Sequence, residues 1–196
     1  MYIETIKNYI PKNELEAQDQ KNMLAYIEQH QANILTRDNQ IAHVCVSGFI
    51  LNEQLSQTLM IHHHLYDSWG WTGGHADGNP DLLAVAIKEA REETSVQNVR
   101  PLSSLPQSLD ILPVWSHYKN GKPISTHLHL TLTYLLIADE SEQLTIKEDE
   151  NSAVGWIPVD EIDQYCNEAS MLPIYEKLIV AAKTHLFNAV TSAEKS

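Results

Sequence analysis

The sequence predicts one layered α/β domain with a mixed sheet and an N-terminal helical extension. Two observations favour this fold class: strand-like and helical segments share the chain, and no repeat or low-complexity linker divides it. With 196 residues, of which 43% are hydrophobic, the chain can bury one core and carry a modest extension. We expect the extension at residues 1–36, the domain at residues 37–190 and a C-terminal tail at residues 191–196.

The first predicted element is a helix over residues 13–30, where Asn13 and Glu16 have the pattern of a capping box. Apolar runs bounded by turn residues predict the strands. They are expected at residues 41–51, 57–63, 109–115, 126–137 and 154–157. A charged loop is expected over residues 138–151, and a last helix over residues 172–187.

A further helix is predicted after the glycine-rich turn at residues 73–78. Asn79 is a good N-cap residue, and Pro80 suits the first helical turn because its missing N–H has no helical partner there. Asp81 favours the positive end of the helix. The helix is therefore expected to begin at Pro80.

Three carboxylates on this helix form the most informative pattern in the chain. Glu89, Glu92 and Glu93 stand at i, i+3 and i+4, so a helix brings them to one face. Like charges at this spacing cost helix stability unless a cation lies among them. A hard divalent ion such as Mg²⁺ takes carboxylate oxygens together with substrate phosphates. The alternative interpretation is a solvated, charge-laced helix face.

The segment from residue 73 to 96 resembles the Nudix box, G-x5-E-x7-R-E-U-x-E-E-x-G-U, in which U is a bulky apolar residue. Gly74 matches the first glycine, and Val96 matches the final apolar position. Glu89, Glu92 and Glu93 match the three late acidic positions. The flanking segments YDSWGWTGGHADG and DENSAVGW are also similar to those of a bacterial subgroup of Nudix proteins.

Four positions depart from the box, and none of them removes a metal ligand. Pro80 stands where the family has an early glutamate, and Ala90 is small for an apolar position. Lys88 replaces the arginine and lacks its planar guanidinium group. Arg91 could supply a guanidinium group on the same helix face. Ser95 replaces the late glycine, which ends a helix more easily in the left-handed conformation.

The resemblance implies the Nudix fold, an α/β/α sandwich, and hydrolysis of a diphosphate linkage in a nucleoside diphosphate derivative. It implies Mg²⁺ as cofactor, with Mn²⁺ as the alternative. Glu92 and Glu93 are expected as the principal metal ligands, and Glu89 as a third ligand or as the group that orients the water. The backbone carbonyl of Gly73 is expected as a further ligand. The general base is expected either in the box or at Glu150 in the later loop.

Candidate substrate-binding residues lie around these acids. In the segment HLHLTLTY, alternation places His127 and His129 on one strand face. Two such imidazoles can share a metal, but a polar face that lines a pocket is the preferred interpretation. His75 in the glycine-rich turn and Lys88 beside the acids could contact phosphate, and Tyr118 could contact a base or sugar.

The composition limits the partners. A formal net charge of −13 without a run of basic residues argues against nucleic acid and anionic membranes, but not against a metal-escorted diphosphate. Cys45 and Cys166 form neither a metal-ligand spacing nor a disulfide framework, and Cys45 is expected as a packed core thiol. We see no signal peptide or membrane span and expect a cytoplasmic protein. The N-terminal and C-terminal helices could form a homodimer interface.

Three functions remain open. A Mg²⁺-dependent Nudix hydrolase is favoured by the intact acids, and a degenerate Nudix module that binds a nucleotide as a sensor is favoured by Pro80, Lys88 and Ser95. An isoprenoid-diphosphate isomerase shares the fold but needs a catalytic cysteine and further metal-binding histidines, and neither Cys45 nor Cys166 lies in such a motif. ADP-ribose, a nucleotide sugar, a dinucleotide polyphosphate and a damaged nucleoside triphosphate remain open as substrates.

Overall fold

The computed structural model describes residues 2–119, 121–147 and 151–193. Its helices are α1 (Tyr2–Lys7), α2 (Glu14–His30), α3 (Leu82–Thr94), α4 (Ile162–Tyr165) and α5 (Leu172–Ala193). Its strands are β1 (Ala42–Leu51), β2 (Gln57–His63), β3 (Ser68–Gly70), β4 (Thr72–His75), β5 (Arg100–Pro101), β6 (Ser108–Val114), β7 (His117–Lys119), β8 (Lys122–Ile124), β9 (His127–Ile137) and β10 (Asn151–Pro158). None of the described helices is long and apolar enough to cross a membrane.

The main sheet is mixed, as predicted. Its strand order is β10-β2-β1-β9-β5, with β3 beside β2, β4 beside β1 and β6 beside β9. The central pair, β1 and β9, is parallel, and the other pairs in this sheet are antiparallel. The strands β7 and β8 form a separate hairpin between the two strands that the sequence predicts at residues 109–115 and 126–137.

The two faces of the sheet carry different helices, which confirms the α/β/α sandwich. Even-numbered residues of β1 and β9 belong to one apolar cluster, together with residues of α2 and α3. Odd-numbered residues near the ends of the same strands pack against α5 in a second cluster. Alternation along the two strands separates the faces in this way because successive side chains point to opposite sides. The beginnings of β1 and β9 carry polar residues on the α5 face instead, among them His43 and His129, which line a cavity.

The N-terminal helix pair is joined to the domain by apolar contacts and by buried charges. Met23 and Ile27 of α2 are part of the first cluster. The carboxylate of Glu16, which is 1% exposed, accepts a hydrogen bond of 2.6 Å from Lys177 Nζ of α5. The same ammonium lies 2.8 Å from Asp110 of β6. Three elements distant in sequence therefore share one buried ion group. The predicted boundary at residue 37 stays a prediction.

The ends of the helices follow local capping with two differences from expectation. Asn13 caps α2 and accepts a hydrogen bond of 2.8 Å from the Glu16 N–H, as the capping box predicts. Helix α3 begins at Leu82 rather than at Pro80, because Asp81 is the N-cap and accepts from the Ala84 N–H. At the other end, Ser95 takes the left-handed conformation with φ of 68°. The helix thus stops where the Nudix pattern places its glycine.

Candidate active site

Strand β4 carries the two glycines against the end of α3. Its residues pair with β1 so that Gly74 lies opposite Val46 and His75 lies opposite Cys45. Alternation directs Gly74 toward α3 and His75 toward the opposite side of the strand. A Cβ atom on Gly74 would lie 2.5 Å from Cδ of Glu89. The missing side chain therefore lets the Glu89 carboxylate approach the strand backbone.

Two of the three predicted acids, Glu89 and Glu93, reach this strand, and Glu92 is joined to Glu89 through Lys88. Glu93 is 3% exposed, and its Oε2 accepts a hydrogen bond of 2.9 Å from the Gly73 N–H. Lys88 donates to Oε1 of Glu89 at 3.1 Å and to Oε2 of Glu92 at 3.0 Å. The hydrogen bonds to Glu92 and then Glu89 raise the pKa of the Lys88 ammonium. Glu89 and Glu92 thus hold the Lys88 ammonium between them, which offsets the like-charge repulsion expected from their spacing.

This arrangement fits a hard divalent ion. The Lys88 ammonium is a stand-in for positive charge beside Glu89 and Glu92, and carboxylate oxygens are the ligands that Mg²⁺ prefers. Lys88 also supplies the neutralising charge that the family pattern assigns to an arginine at the same position. Arg91 does not join it, because its Nε donates to the backbone carbonyl of Gln97 at 3.1 Å.

A second cluster consists of histidines on the opposite side of β4. Strand register places His43 beside His129 and Cys45 beside His75, all directed to the polar part of the α5 face. The ring centres of His43, His75 and His129 form a triangle with sides of 4.9, 5.1 and 5.2 Å. His127 adds a fourth ring, 5.0 Å from that of His129.

Burial favours the neutral form of three of these histidines, His43, His75 and His129, because it lowers the pKa of each. Burial, followed by the charge of His43, lowers the pKa of His75 to about 4. Burial, followed by the charge of His75, lowers the pKa of His129 to about 2. Burial also lowers the pKa of His43 and raises that of the Cys45 thiol. Neutral imidazoles offer both a hydrogen-bond donor and a lone pair to a ligand.

One cavity of about 1030 Å³ brings both clusters together. Every predicted site residue within the described chain lines it: Gly73, His75, Lys88, Glu89, Glu92, Glu93, Tyr118, His127 and His129. Tyr118 lies on the β7–β8 hairpin and is exposed. Glu150, the alternative general base, lies outside the described residues and stays a prediction, as does the carbonyl of Gly73 as a ligand.

His43 and Cys45 line the same cavity and were missed by the sequence analysis. Cys45 is buried, as expected of a core thiol, but it faces histidines rather than apolar side chains. A signal for both residues was present, because the spacing His43-x-Cys45 puts them on one face of a strand. Recognising the cluster also requires knowing that β4 and β9 flank β1, which periodicity does not reveal.

Comparison with known proteins places the chain among Nudix domains. The family model for the NUDIX domain matches residues 42–178. No curated protein matches the chain. A NUDIX-family hydrolase from Clostridium perfringens is 20% identical with a TM-score of 0.50, over 71% of this chain and 97% of that chain.

Two further solved structures have a similar fold. The dihydroneopterin triphosphate pyrophosphohydrolase of E. coli is 15% identical with a TM-score of 0.51, over 70% of this chain and 95% of that chain. An Ap4A hydrolase of C. elegans is 16% identical with a TM-score of 0.49, over 72% and 98%. At these identities the likeness concerns the fold.

Proposed function

We propose that this chain, which belongs to the Nudix family, is a hydrolase of phosphoanhydride bonds that cleaves the diphosphate linkage of a nucleoside diphosphate derivative with Mg²⁺. The observation that carries the proposal is the grouping of three acids beside the glycines of β4: Glu89 and Glu92 share the Lys88 ammonium, and Glu93 accepts from the Gly73 N–H. Mn²⁺ is the alternative ion, because it also accepts oxygen ligands.

Glu92 and Glu93 would hold the ion, with Glu89 as a third ligand or as the group that orients the attacking water. The ion, when bound, supplies charge neutralisation at the phosphate oxygens and lowers the pKa of a coordinated water. Glu93 is fixed for this role by the Gly73 N–H. The general base is either a box acid or Glu150.

The other cavity residues are assigned to the substrate. Lys88 has a flexible stem, and its ammonium can turn from the acids to a phosphate oxygen. His75, His127 and His129 line the cavity, where contact with the substrate is the alternative to metal binding, and His75 lies closest in sequence to the box glycines. Tyr118 on the β7–β8 hairpin can contact the base or sugar. The cavity volume of about 1030 Å³ is at the upper end for small-molecule sites, which suits a ligand with two linked moieties.

The test is hydrolysis of a substrate panel with Mg²⁺ and with Mn²⁺. The panel contains ADP-ribose, a nucleotide sugar, a dinucleotide polyphosphate and an oxidised nucleoside triphosphate, with phosphate and nucleotide release as readouts. We expect metal-dependent turnover that falls by at least ~100-fold in the Glu92→Gln, Glu93→Gln double variant, because metal charge stabilisation contributes several kcal/mol. Glu176→Gln, an exposed acid on α5, is the control that should retain full activity.

The opposite result has a defined meaning. No turnover of any panel member, together with nucleotide binding by calorimetry, would contradict hydrolysis and support a nucleotide-binding module without turnover. Turnover that survives in the double variant would refute the assignment of the box acids as metal ligands.

A further inference from the structure

Four donor atoms of a kind that binds transition metals gather on the polar part of the α5 face. One ligand atom from each of His43, Cys45, His75 and His129 lies within 4.8 Å of every other. They come from three strands, β1, β4 and β9, so the grouping is a property of the sheet register and not of one local segment. From this geometry we propose that these four residues form a second metal site, for Zn²⁺ or a similar borderline-soft ion.

The spacing of the rings agrees with ligands around one ion. A Zn–N bond of ~2.0–2.1 Å, with the ring centre ~1.1 Å beyond the nitrogen, puts the centres of two imidazoles ~5 Å apart at a tetrahedral angle. The three ring separations are 4.9, 5.1 and 5.2 Å. The thiol of Cys45 then supplies the fourth ligand, as in closed sites with four protein donors.

The orientation of His43 is the second independent observation. Its Nδ1 lies 2.9 Å from the backbone carbonyl of Asn39, so this nitrogen carries the proton and donates it. The lone pair is left on Nε2, which is buried and has no hydrogen-bond partner among the described residues. A buried polar atom without a partner costs free energy. Metal-bound histidines characteristically donate their second ring nitrogen to a carbonyl in this way.

His127 supports the site from its border. Its Nδ1 lies 2.9 Å from the carbonyl of Ser125, and its Nε2 lies 3.2 Å from Nε2 of His129. We therefore assign His127 as a positioning residue for the His129 ring. Because Nδ1 of His127 carries the proton, its Nε2 accepts a hydrogen bond from the Nε2–H of His129 and holds that ring in place.

This site is distinct from the Nudix acids in place and in chemistry. Gly74 faces Glu89 on the α3 side of β4, whereas His75 faces Cys45 on the other side of the same strand. Imidazole and thiolate suit Zn²⁺, while carboxylates and water suit Mg²⁺. The proposed ion would tie β4, and with it the box glycines, to β1 and β9. The proposal does not depend on hydrolysis by the box acids.

Cobalt is the first probe, because Co²⁺ occupies zinc sites and its thiolate bond gives a charge-transfer absorption in the near ultraviolet. We expect the full chain, without a histidine tag, to bind one equivalent of Co²⁺ with this absorption and with the visible bands of tetrahedral Co²⁺. One equivalent of Zn²⁺ should displace it. Zn²⁺ at ~100-fold excess over its Kd should raise the unfolding midpoint by about 5–10 °C.

Matched variants assign the ligands. Cys45→Ser should remove the thiolate absorption, and Cys166→Ser, the same change at the other buried cysteine, should leave it intact. A variant with His62, His63 and His64 changed to Gln tests the exposed end of β2 as a competing site and should also retain it. A wild-type spectrum without the thiolate band would overturn the proposal whether or not any variant folds.

The box double variant separates the two metal sites. Glu92→Gln, Glu93→Gln should bind Co²⁺ with an unchanged thiolate band while it loses Mg²⁺-dependent turnover. Loss of the band in this variant, or in Cys166→Ser or the triple histidine variant, would contradict the four-residue site. An unchanged band together with absent wild-type turnover would count against the hydrolase proposal alone.

Discussion

Replacement of Gly74 by alanine should displace the Glu89 carboxylate and leave the stability of the fold almost unchanged. The added Cβ would lie 2.5 Å from Cδ and 2.7 Å from Oε2 of Glu89. Carbon atoms in contact are ~3.5 Å apart, so the Glu89 carboxylate must move by about 1 Å. The obstacle is the end of a flexible side chain, and the backbone need not shift. We therefore expect little loss of stability and a displaced carboxylate.

A misplacement of this size has a large catalytic cost. Displacement of a catalytic group by ~1 Å can lower the rate by ~100-fold, so kcat with Mg²⁺ should fall by about that factor. The assay compares steady-state hydrolysis with thermal unfolding for Gly74→Ala and for Gly155→Ala. A Cβ on Gly155 would meet only ring atoms of Trp69 at 3.7 and 3.9 Å, so this control should keep both properties. Activity of Gly74→Ala within threefold of wild type would refute the reasoning.

Three further predictions concern stability. Ser95→Gly should raise the unfolding midpoint by about 2–6 °C, because the left-handed conformation costs a non-glycine residue ~1–2 kcal/mol; an unchanged midpoint contradicts this. Lys177→Met should lower the free energy of unfolding in urea by about 3–5 kcal/mol, since it leaves Glu16 and Asp110 buried without a cation; a loss below ~1 kcal/mol contradicts it. With a chelator present, the free energy of unfolding should fall as the pH drops below ~6.5, because the unfolded chain binds protons at histidines whose pKa is lowered in the folded state. His129→Gln should weaken this dependence, and identical pH profiles for wild type and variant would contradict the prediction.

Local sequence rules predicted the parts of the site that one segment contains. The i, i+3, i+4 spacing placed Glu89, Glu92 and Glu93 together, since a helix fixes their relation regardless of the rest of the fold. The cap at Asn13 was predicted for the same reason. The start of α3 was displaced by two residues because Asn79 and Asp81 both offer a side-chain oxygen for capping, and Asp81 is the one that caps the helix.

Relations between segments were not accessible from the sequence. His75 was a candidate by its position in the box, but its neighbours His43 and Cys45 depend on which strands flank β1. His127 and His129 line the cavity, and their role in substrate binding stays a prediction. The contact of Arg91 could not be predicted for the same reason. Its hydrogen bond to the carbonyl of Gln97 depends on the path of the chain after the helix.

The ion group of Glu16, Lys177 and Asp110 also constrains the order in which the protein folds. Lys177 and Glu16 are separated by 161 residues in the sequence, and both residues must be in place before the ion pair can be buried. During synthesis, α2 is complete long before α5 exists, so Glu16 has only its local donors, the Tyr9 hydroxyl and the Lys12 N–H, until nearly the whole chain has emerged. Closing so long a loop to bring in Lys177 is slow. We expect final docking of α2 to be a late event that α5 controls.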